Sequence, residues 1–569
     1  MFTPDERATI GESFAACAQR FGDRPFLAVP AHASRAYHPA GYELSYAGAA
    51  AAVQALMRRY ADAGYGLGHR VSLLLENRPE HLLHKLAMNA LGVCCVPLNA
   101  DHRAREMAYV LDHAEVDLVI AVPALVPLLR AALDVATQRP AVVLLDDAAP
   151  WPRAAVPAPS TAPAPDTPAS VLYTSGTTGR PKGCVLSHRY ELEAGRWYAT
   201  TGGLATFHDG SDRIYNPLPL FHVNASIFSF FCAMLRGNCQ VQTDRFSPAR
   251  WWTEVAESRA TVVHYLGVVV PMLLGQPPGP LDRGHGVRFA IGAGVDPQRH
   301  AEFEARFGFP LIEIWGMTEM VRAIVDSEPP RPVGTRSFGR PRPGLEVRVV
   351  DDADRELPAG TPGEMLVRSS AAAPRSDFFS GYLNDPAATE QAWRGGWFHT
   401  GDIVTRAADG RLSFIDRRKN IIRRSGENIA AAEVEAVLQA HPLVEQAAVL
   451  AVPDDVREEE VLACVVLRPQ GRADPAAAVQ ALFEHCNAEL SYYKAPGWMW
   501  LADSIPTTST QKIQKHQIFE PGTDPRTLPG MVDLRARKRR DAASASPQGR
   551  AAPSPPPAGI QAPGEAGSP

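Results

Sequence analysis

The sequence predicts an α/β protein: a large amino-terminal domain of parallel-rich sheets flanked by helices, followed by a small mobile α+β domain. Three observations predict it. Short apolar runs of strand length alternate with helical periodicity through the first 150 residues, as in a doubly wound sheet. Glycine-rich turns such as GAGVD (292–296) and WGMTEM (315–320) directly follow strand candidates, where open α/β sheets place their ligands. A basic stretch, DRRKNIIRRSGENIAAAEVE (416–435), then separates that pattern from a shorter α+β one.

Taken in order, TIGESFAACAQRF (9–21) has helical apolar spacing, and Tyr46 to Tyr60 repeats it. RVSLLL (70–75) is a buried strand, Glu80 to Leu91 a helix, VCCVPL (93–98) the next strand, with LVIAV (118–122) and AVVLLD (141–146) continuing. From Ala149 to Ser170 the chain is rich in alanine and proline and is expected to be an exposed connection. After it comes VLYTSGTTGRPKGCVLSH (171–188).

That stretch is built to hold phosphate. Gly176, Gly179 and Gly183 let backbone N–H groups approach an anion, Thr174, Ser175, Thr177 and Thr178 add hydroxyl donors, and Lys182 brings a compact charge. The lysine is followed by glycine at a spacing that excludes the Walker loop of ordinary nucleotide triphosphatases. A bare SGTTG would be a surface turn; the strand before it and Lys182 after it favour phosphate.

YTSGTTGRPKG resembles the signature loop of the adenylate-forming (AMP-binding) superfamily, which includes acyl-CoA synthetases, luciferases and peptide-synthetase adenylation domains. The resemblance extends over the whole chain except its tail, and it implies a role for each motif. His222, in YNPLPLFHVNASIF, flanks the acyl pocket; a lone histidine among apolar residues is otherwise a core residue. Gly292, Ala293 and Gly294 border the nucleotide, as do Gly316 and Met317. Thr318 contacts phosphate and Glu319 holds Mg2+, whose charge offsets that of the α and β phosphates. Trp315 replaces the usual tyrosine, so adenine stacks on an indole and forgoes one polar interaction. Asp402, in WFHTGD, binds the ribose hydroxyls and Arg417 completes that contact.

Lys419 is the hinge, and Gly426 lines a tunnel for pantetheine. Lys512 reaches the attacking carboxylate and the α-phosphate, although Gln511 stands where relatives have glycine; Lys515 is the fallback. The domains expected are 1–417 for ATP and acyl binding, 418–522 as a lid, and 523–569 as a disordered tail. The basic run LRARKRR (534–540) in that tail is expected to be merely solvated.

The activity implied is that of an ATP-dependent acid-thiol ligase using Mg2+ and coenzyme A, its subgroup most similar to crotonobetaine/carnitine-type ligases. A medium-chain or aromatic acid competes as substrate. The rivals are an enzyme loading a carrier protein and a noncatalytic nucleotide-binding homologue.

Composition agrees with such an enzyme. With 57 basic and 62 acidic residues, a net charge of -5 and 45% hydrophobic residues, the chain is ordinary globular protein with no electrostatic case for nucleic acid. No apolar run approaches a membrane span, and MFTPDERATIGESF lacks a secretory core, so a cytoplasmic protein is expected. Eight cysteines without a Cys-x-x-Cys pair are expected to be buried free thiols. A homodimer is the default assembly.

Overall fold

A computed structural model describes residues 1–3, 5, 7–102, 104–174, 181–424, 427–454, 457–490, 492–508, 512–520 and 522–538. Ser175, Gly176, Thr177, Thr178, Gly179, Gly426 and Gln511 lie outside them, as does the chain beyond 538.

Two large sheets carry the amino-terminal part. In one, strands Leu311–Trp315, Phe289–Ala293, Val262–Leu266, Arg213–Asn216, Cys239–Gln242 and Pro25–Val29 run parallel side by side, with antiparallel edges at Ile324–Val325 and Tyr42–Ser45. In the other, Pro168–Thr174, Cys94–Pro97, Arg70–Leu74, Leu118–Ala121 and Ala141–Leu144 are parallel, and Lys182–Ser187 and Gly381–Tyr382 add antiparallel strands at one edge. A smaller antiparallel sheet contains Phe398–Arg406 and Leu412–Arg417.

Local sequence explains the helices. Ile10–Phe21 starts at Thr9, whose hydroxyl accepts from the Glu12 amide while the Glu12 carboxylate accepts from the Thr9 amide, satisfying two orphan donors. His188–Ala199 starts at Ser187, and Pro475–Glu489 starts at Asp474 with proline in its first position. His188–Ala199 packs against Ser229–Arg236 within the main hydrophobic core, which draws residues from both large sheets. All eight cysteines are buried and unpaired, as expected.

Two expectations need correction. The 149–170 connection is not wholly exposed: Trp151 is buried, its ring edge-on to Tyr60 at 4.7 Å and beneath the Arg59 guanidinium at 4.6 Å. Its end, Pro168 to Ser170, is already strand. A single tryptophan in proline-rich text leaves no periodic signal, yet it supplies a large apolar surface to bury.

The second correction concerns the tail. Met531–Asp533 pairs antiparallel with Trp498–Leu501, and Leu534 is buried with Ile422, Val461 and Met499. Residues 525–538 therefore belong to the small domain, not to a disordered tail from 523. Three residues are too few to show alternation, so the strand is invisible until its partner is in place.

The small domain has its own cores, around Ile422, Val434, Val449, Val465 and Leu482, and around Leu462 and Trp498. Asp416 joins it to the larger part: one carboxylate oxygen accepts from the Ala432 amide at 2.8 Å, at the start of helix Ala431–Ala440, and the other from Asn420 at 3.0 Å. The carboxylate suits the positive end of that helix.

Candidate active site

The site forms where several strand ends meet. Strands Pro168–Thr174 and Lys182–Ser187 are a hairpin in which Thr174 faces Lys182, so the glycine-rich loop is its connection. The Lys182 ammonium sits over the Tyr382 ring, 4.7 Å from its centroid. The Tyr382 hydroxyl donates to Glu319 at 2.9 Å. Burial raises the Glu319 carboxyl above its usual range, against the lowering effect of Tyr382 and the Arg417 charge. Sequence reasoning missed Tyr382; its only signal is an aromatic residue after glycine in FFSGYLND.

Strand Leu311–Trp315 delivers Gly316, Met317, Thr318 and Glu319 at its carboxyl end. The Tyr190 hydroxyl holds this turn by donating to the Thr318 carbonyl at 2.8 Å. Beside it, Gly292 and Ala293 end strand Phe289–Ala293, and Gly294 adopts φ +83, which favours glycine. The Glu313 carboxylate accepts from the Gly294 and Val295 amides, both at 3.0 Å, and from the Tyr265 hydroxyl at 2.7 Å. Glu313 was also missed, because a carboxylate inside LIEIW has no local pattern to mark it.

Asp402 and Arg417 are register partners on adjacent antiparallel strands, and their side chains meet at 2.6 Å. Asp402 is 1% exposed while Arg417 is 41% exposed. The Trp315 indole N–H donates to the other Asp402 oxygen at 2.8 Å. The hydroxyl that a tyrosine would offer at this position is thus exchanged for an indole N–H that serves Asp402. The indole is buried and lies 6.0 Å from the Phe338 ring. Burial raises the Asp402 carboxyl, with Arg417 its main counterweight, then Trp315 and Lys512.

Lys512 is exposed, next to Ile513, which bridges Thr507, and its amide donates to the Thr508 hydroxyl at 3.1 Å. Its ammonium is near enough to lower both Asp402 and His222. Lys515 is instead paired with Glu435 at 2.8 Å within the small domain. Burial, and then the charges of Lys512 and His102, bring the His222 imidazole down to about 4, so it is neutral at pH 7.

The AMP-binding enzyme pattern matches residues 14–383, nearly two thirds of the chain, and its C-terminal domain pattern matches 433–512. The chain belongs to the AMP-binding enzyme family. It is 33% identical over 528 residues to the sulfoacetate–CoA ligase of Cupriavidus necator, covering 91% of this chain and 98% of that protein. It is 29% identical to the crotonobetaine/carnitine–CoA ligase of Salmonella agona, over 84% and 93%. Among solved structures it resembles ATP-bound MatB from Rhodopseudomonas palustris, with a TM-score of 0.73, 25% identity and coverage of 90% and 98%. The fold also matches o-succinylbenzoate CoA synthetase from Bacillus subtilis with its acyl-adenylate, with a TM-score of 0.75, 23% identity and coverage of 90% and 98%. The CoA ligases of this family form an acyl-AMP and then transfer the acyl group to coenzyme A, and this chain is an enzyme of that kind.

Residue by residue, Lys182, Tyr382 and Glu319 meet in one corner of the candidate site, and Trp315, Asp402 and Arg417 in another; the charge of Arg417 acts on Glu319 as well as on Asp402. Among the described residues no group of three His, Cys, Asp or Glu side chains could hold a metal alone. Glu319 fits Mg2+ as one ligand of a phosphate-bound ion, since such ions commonly take one or two carboxylates and complete their shell with phosphate and water.

Proposed function

We propose that this enzyme activates a small carboxylic acid bearing a polar or charged distal group, and that Lys182, Glu319, Asp402, Arg417 and Lys512 carry out its first half-reaction. The observation that carries the assignment is the convergence of the motif residues: Lys182 lies over the Tyr382 ring, Tyr382 donates to Glu319, and Arg417 and Trp315 both bind Asp402. The substrate carboxylate attacks the α-phosphorus, pyrophosphate leaves, and an acyl-adenylate forms. Adenylation is needed because a free carboxylate is a poor electrophile. The thiol of coenzyme A then attacks the activated carbonyl and expels AMP.

Lys182 and the glycine-rich loop would bind the leaving phosphates, and Lys512 would neutralise charge developing at the α-phosphate. Asp402, held by Arg417 and Trp315, would orient the ribose. Glu319, oriented by Tyr382, would hold Mg2+, which supplies charge neutralisation between phosphates when bound. Thr318 would contact phosphate, while Gly292, Ala293, Gly294, Gly316, Met317 and Trp315 would frame the nucleotide. Lys419 as hinge would let the small domain bring Lys512 and Gly426 in turn.

The substrate class rests on Asn224. It opens a short π-helical stretch, Asn224–Phe228, a geometry frequent at functional sites, directly after His222. Its carbonyl oxygen accepts from the Asn216 amide at 2.9 Å, and Asn216 is fixed in turn by the His264 ring at 3.1 Å. That leaves the Asn224 amide N–H2 with no acceptor among the described residues, suited to a carboxylate, sulfonate or other polar acceptor on the acid. The sulfoacetate and carnitine named for the relatives are both short and charged. ATP, coenzyme A and eight free thiols suit the cytoplasm, and among the described residues no helix is long and apolar enough to cross a membrane. A homodimer remains the default assembly.

The test is pyrophosphate release with ATP and Mg2+ across sulfoacetate, malonate, carnitine, crotonobetaine, fatty acids and aryl acids, with and without coenzyme A. Release should favour the short polar acids and rise with coenzyme A. Lys512→Ala should lower it by ~100-fold or more, as for loss of a transition-state charge contact. Release only with aliphatic or aryl acids would reject the substrate class; none with any acid would reject the catalytic assignment.

A further inference from the structure

The described part of the basic run, 534–538, is more than solvated: Arg535 and Arg537 are exposed but engaged, and Lys538 is buried. Arg535 pairs with Asp533 at 2.7 Å and Asp454 at 3.0 Å, with its guanidinium over the Trp498 ring at 4.5 Å. Arg537 covers the Phe483 ring at 4.7 Å. Lys538 goes further in: its ammonium donates to Glu460 at 2.6 Å and to the Tyr493 carbonyl at 3.0 Å, with 1% of the side chain exposed. The other oxygen of Glu460 accepts from Arg424 at 2.7 Å, in a pair equally hidden from solvent.

Glu460 is therefore a carboxylate held between two cations from opposite directions. Gly497 makes room for it, since a Cβ there would collide with the carboxylate. The Gly497 carbonyl in turn accepts from the Leu534 amide at 2.8 Å, tying the terminal segment to the same point. Arg424 ends strand Ile421–Arg424, which pairs with Glu427–Ala430 in a hairpin. Among the described residues Glu460 is the one carboxylate bonded to both cations, and burial lowers the Lys538 ammonium to about 8 despite Glu460, with Arg424 and Arg457 adding to the lowering. A buried ionic cluster adds little stability over apolar packing, and its best-attested use is to specify geometry.

We propose that residues 531–538 clamp the hairpin Ile421–Ala430 through the Lys538–Glu460–Arg424 chain, and that Lys538 is a positioning residue for thiol transfer but not for adenylation. The thiol-transfer part rests on the ligase reading above, in which this hairpin borders the pantetheine arm. Adenylation draws on Lys512, whose neighbour Ile513 packs in the core of Trp498 and Met531 and whose loop lies beside the Lys515 to Glu435 pair, apart from the Lys538–Glu460–Arg424 chain. Within the clamp it is therefore the Lys538 chain that acts on one half-reaction and leaves the other alone.

The experiment compares full-length wild type with Lys538→Met and Lys538→Arg. Pyrophosphate release with the preferred acid reports adenylation; thioester formation from preformed acyl-adenylate and coenzyme A reports transfer. Lys538→Met should slow transfer by ~10- to 100-fold, the scale of a 1 Å misplacement, and leave pyrophosphate release unchanged. Lys538→Arg should restore most of the transfer rate. Hydrogen exchange should quicken at 421–424 and 427–430 in Lys538→Met but not at 512–518. Glu460→Gln, which keeps the shape, should give the same split and serves if the methionine variant does not fold. An equal fall in both half-reactions, or unchanged exchange in the hairpin, overturns the proposal. Exchange decides the clamp even if no acid supports turnover in wild type, so the two readings fail separately.

Discussion

Asp402 and Glu460 are both buried carboxylates that meet an arginine, and they differ in what surrounds the pair. The partner of Asp402 is 41% exposed, so the pair opens on one side toward solvent. Glu460 faces Arg424 and Lys538, each as hidden as itself, and also accepts from the Val461 amide at 2.8 Å. Asp402 itself is 1% exposed and its two oxygens already meet Arg417 and Trp315, so it is the arginine that opens the pair to a ligand, whereas a carboxylate enclosed by buried cations only holds the fold. Burial with an arginine therefore does not by itself mark a binding residue.

The largest effect that could break this contrast is on stability. Glu460→Ala leaves two buried cations unpaired and should destabilise the small domain by ~3–5 kcal/mol. Urea unfolding followed by tryptophan fluorescence checks it, and a loss below ~1 kcal/mol would mean the node is not structural.

Asp402→Asn should behave the other way. Because burial raises its folded pKa above the ordinary 3.8, ionisation of Asp402 costs folding stability as pH rises through the folded pKa. The amide should leave the melting temperature unchanged or higher, while the KM for ATP rises ~10- to 100-fold through loss of a charged acceptor. A fall in melting temperature with unaltered KM would erase the distinction.

The smallest effect is a pH dependence at Lys538. Its folded pKa of about 8 lies below the ordinary 10.5, so the unfolded chain binds the proton more tightly in between. Stability of wild type relative to Lys538→Met should therefore rise with pH above 8, by at most ~1.4 kcal/mol per unit. Unfolding at pH 8 and 9 checks the sign, and a fall would mean the ammonium is favoured by its site.

Much of the fold was legible because its signals are local. Apolar runs located Arg70–Leu74, Cys94–Pro97 and Leu118–Ala121 to within a residue at each end. Edge strands Tyr42–Ser45 and Met531–Asp533 were not legible: half-exposed and short, they carry too little alternation. Of the candidate site, Lys182, Glu319, Asp402, Arg417 and Lys512 were legible as candidates because each sits in a contiguous motif. Tyr382 and Glu313 were missed because each does its work on residues far away in sequence.

By itself, then, the sequence determined the α/β class, the family and the order of its motifs, all written in neighbouring residues. Only the tertiary structure decided that Tyr382 orients Glu319 across 63 positions, that Trp315 serves Asp402 across 87, and that Lys538 closes on Glu460 across 78. Such contacts depend on the sheet register and on which side chains burial forces to find a partner, and neither leaves a local period to read.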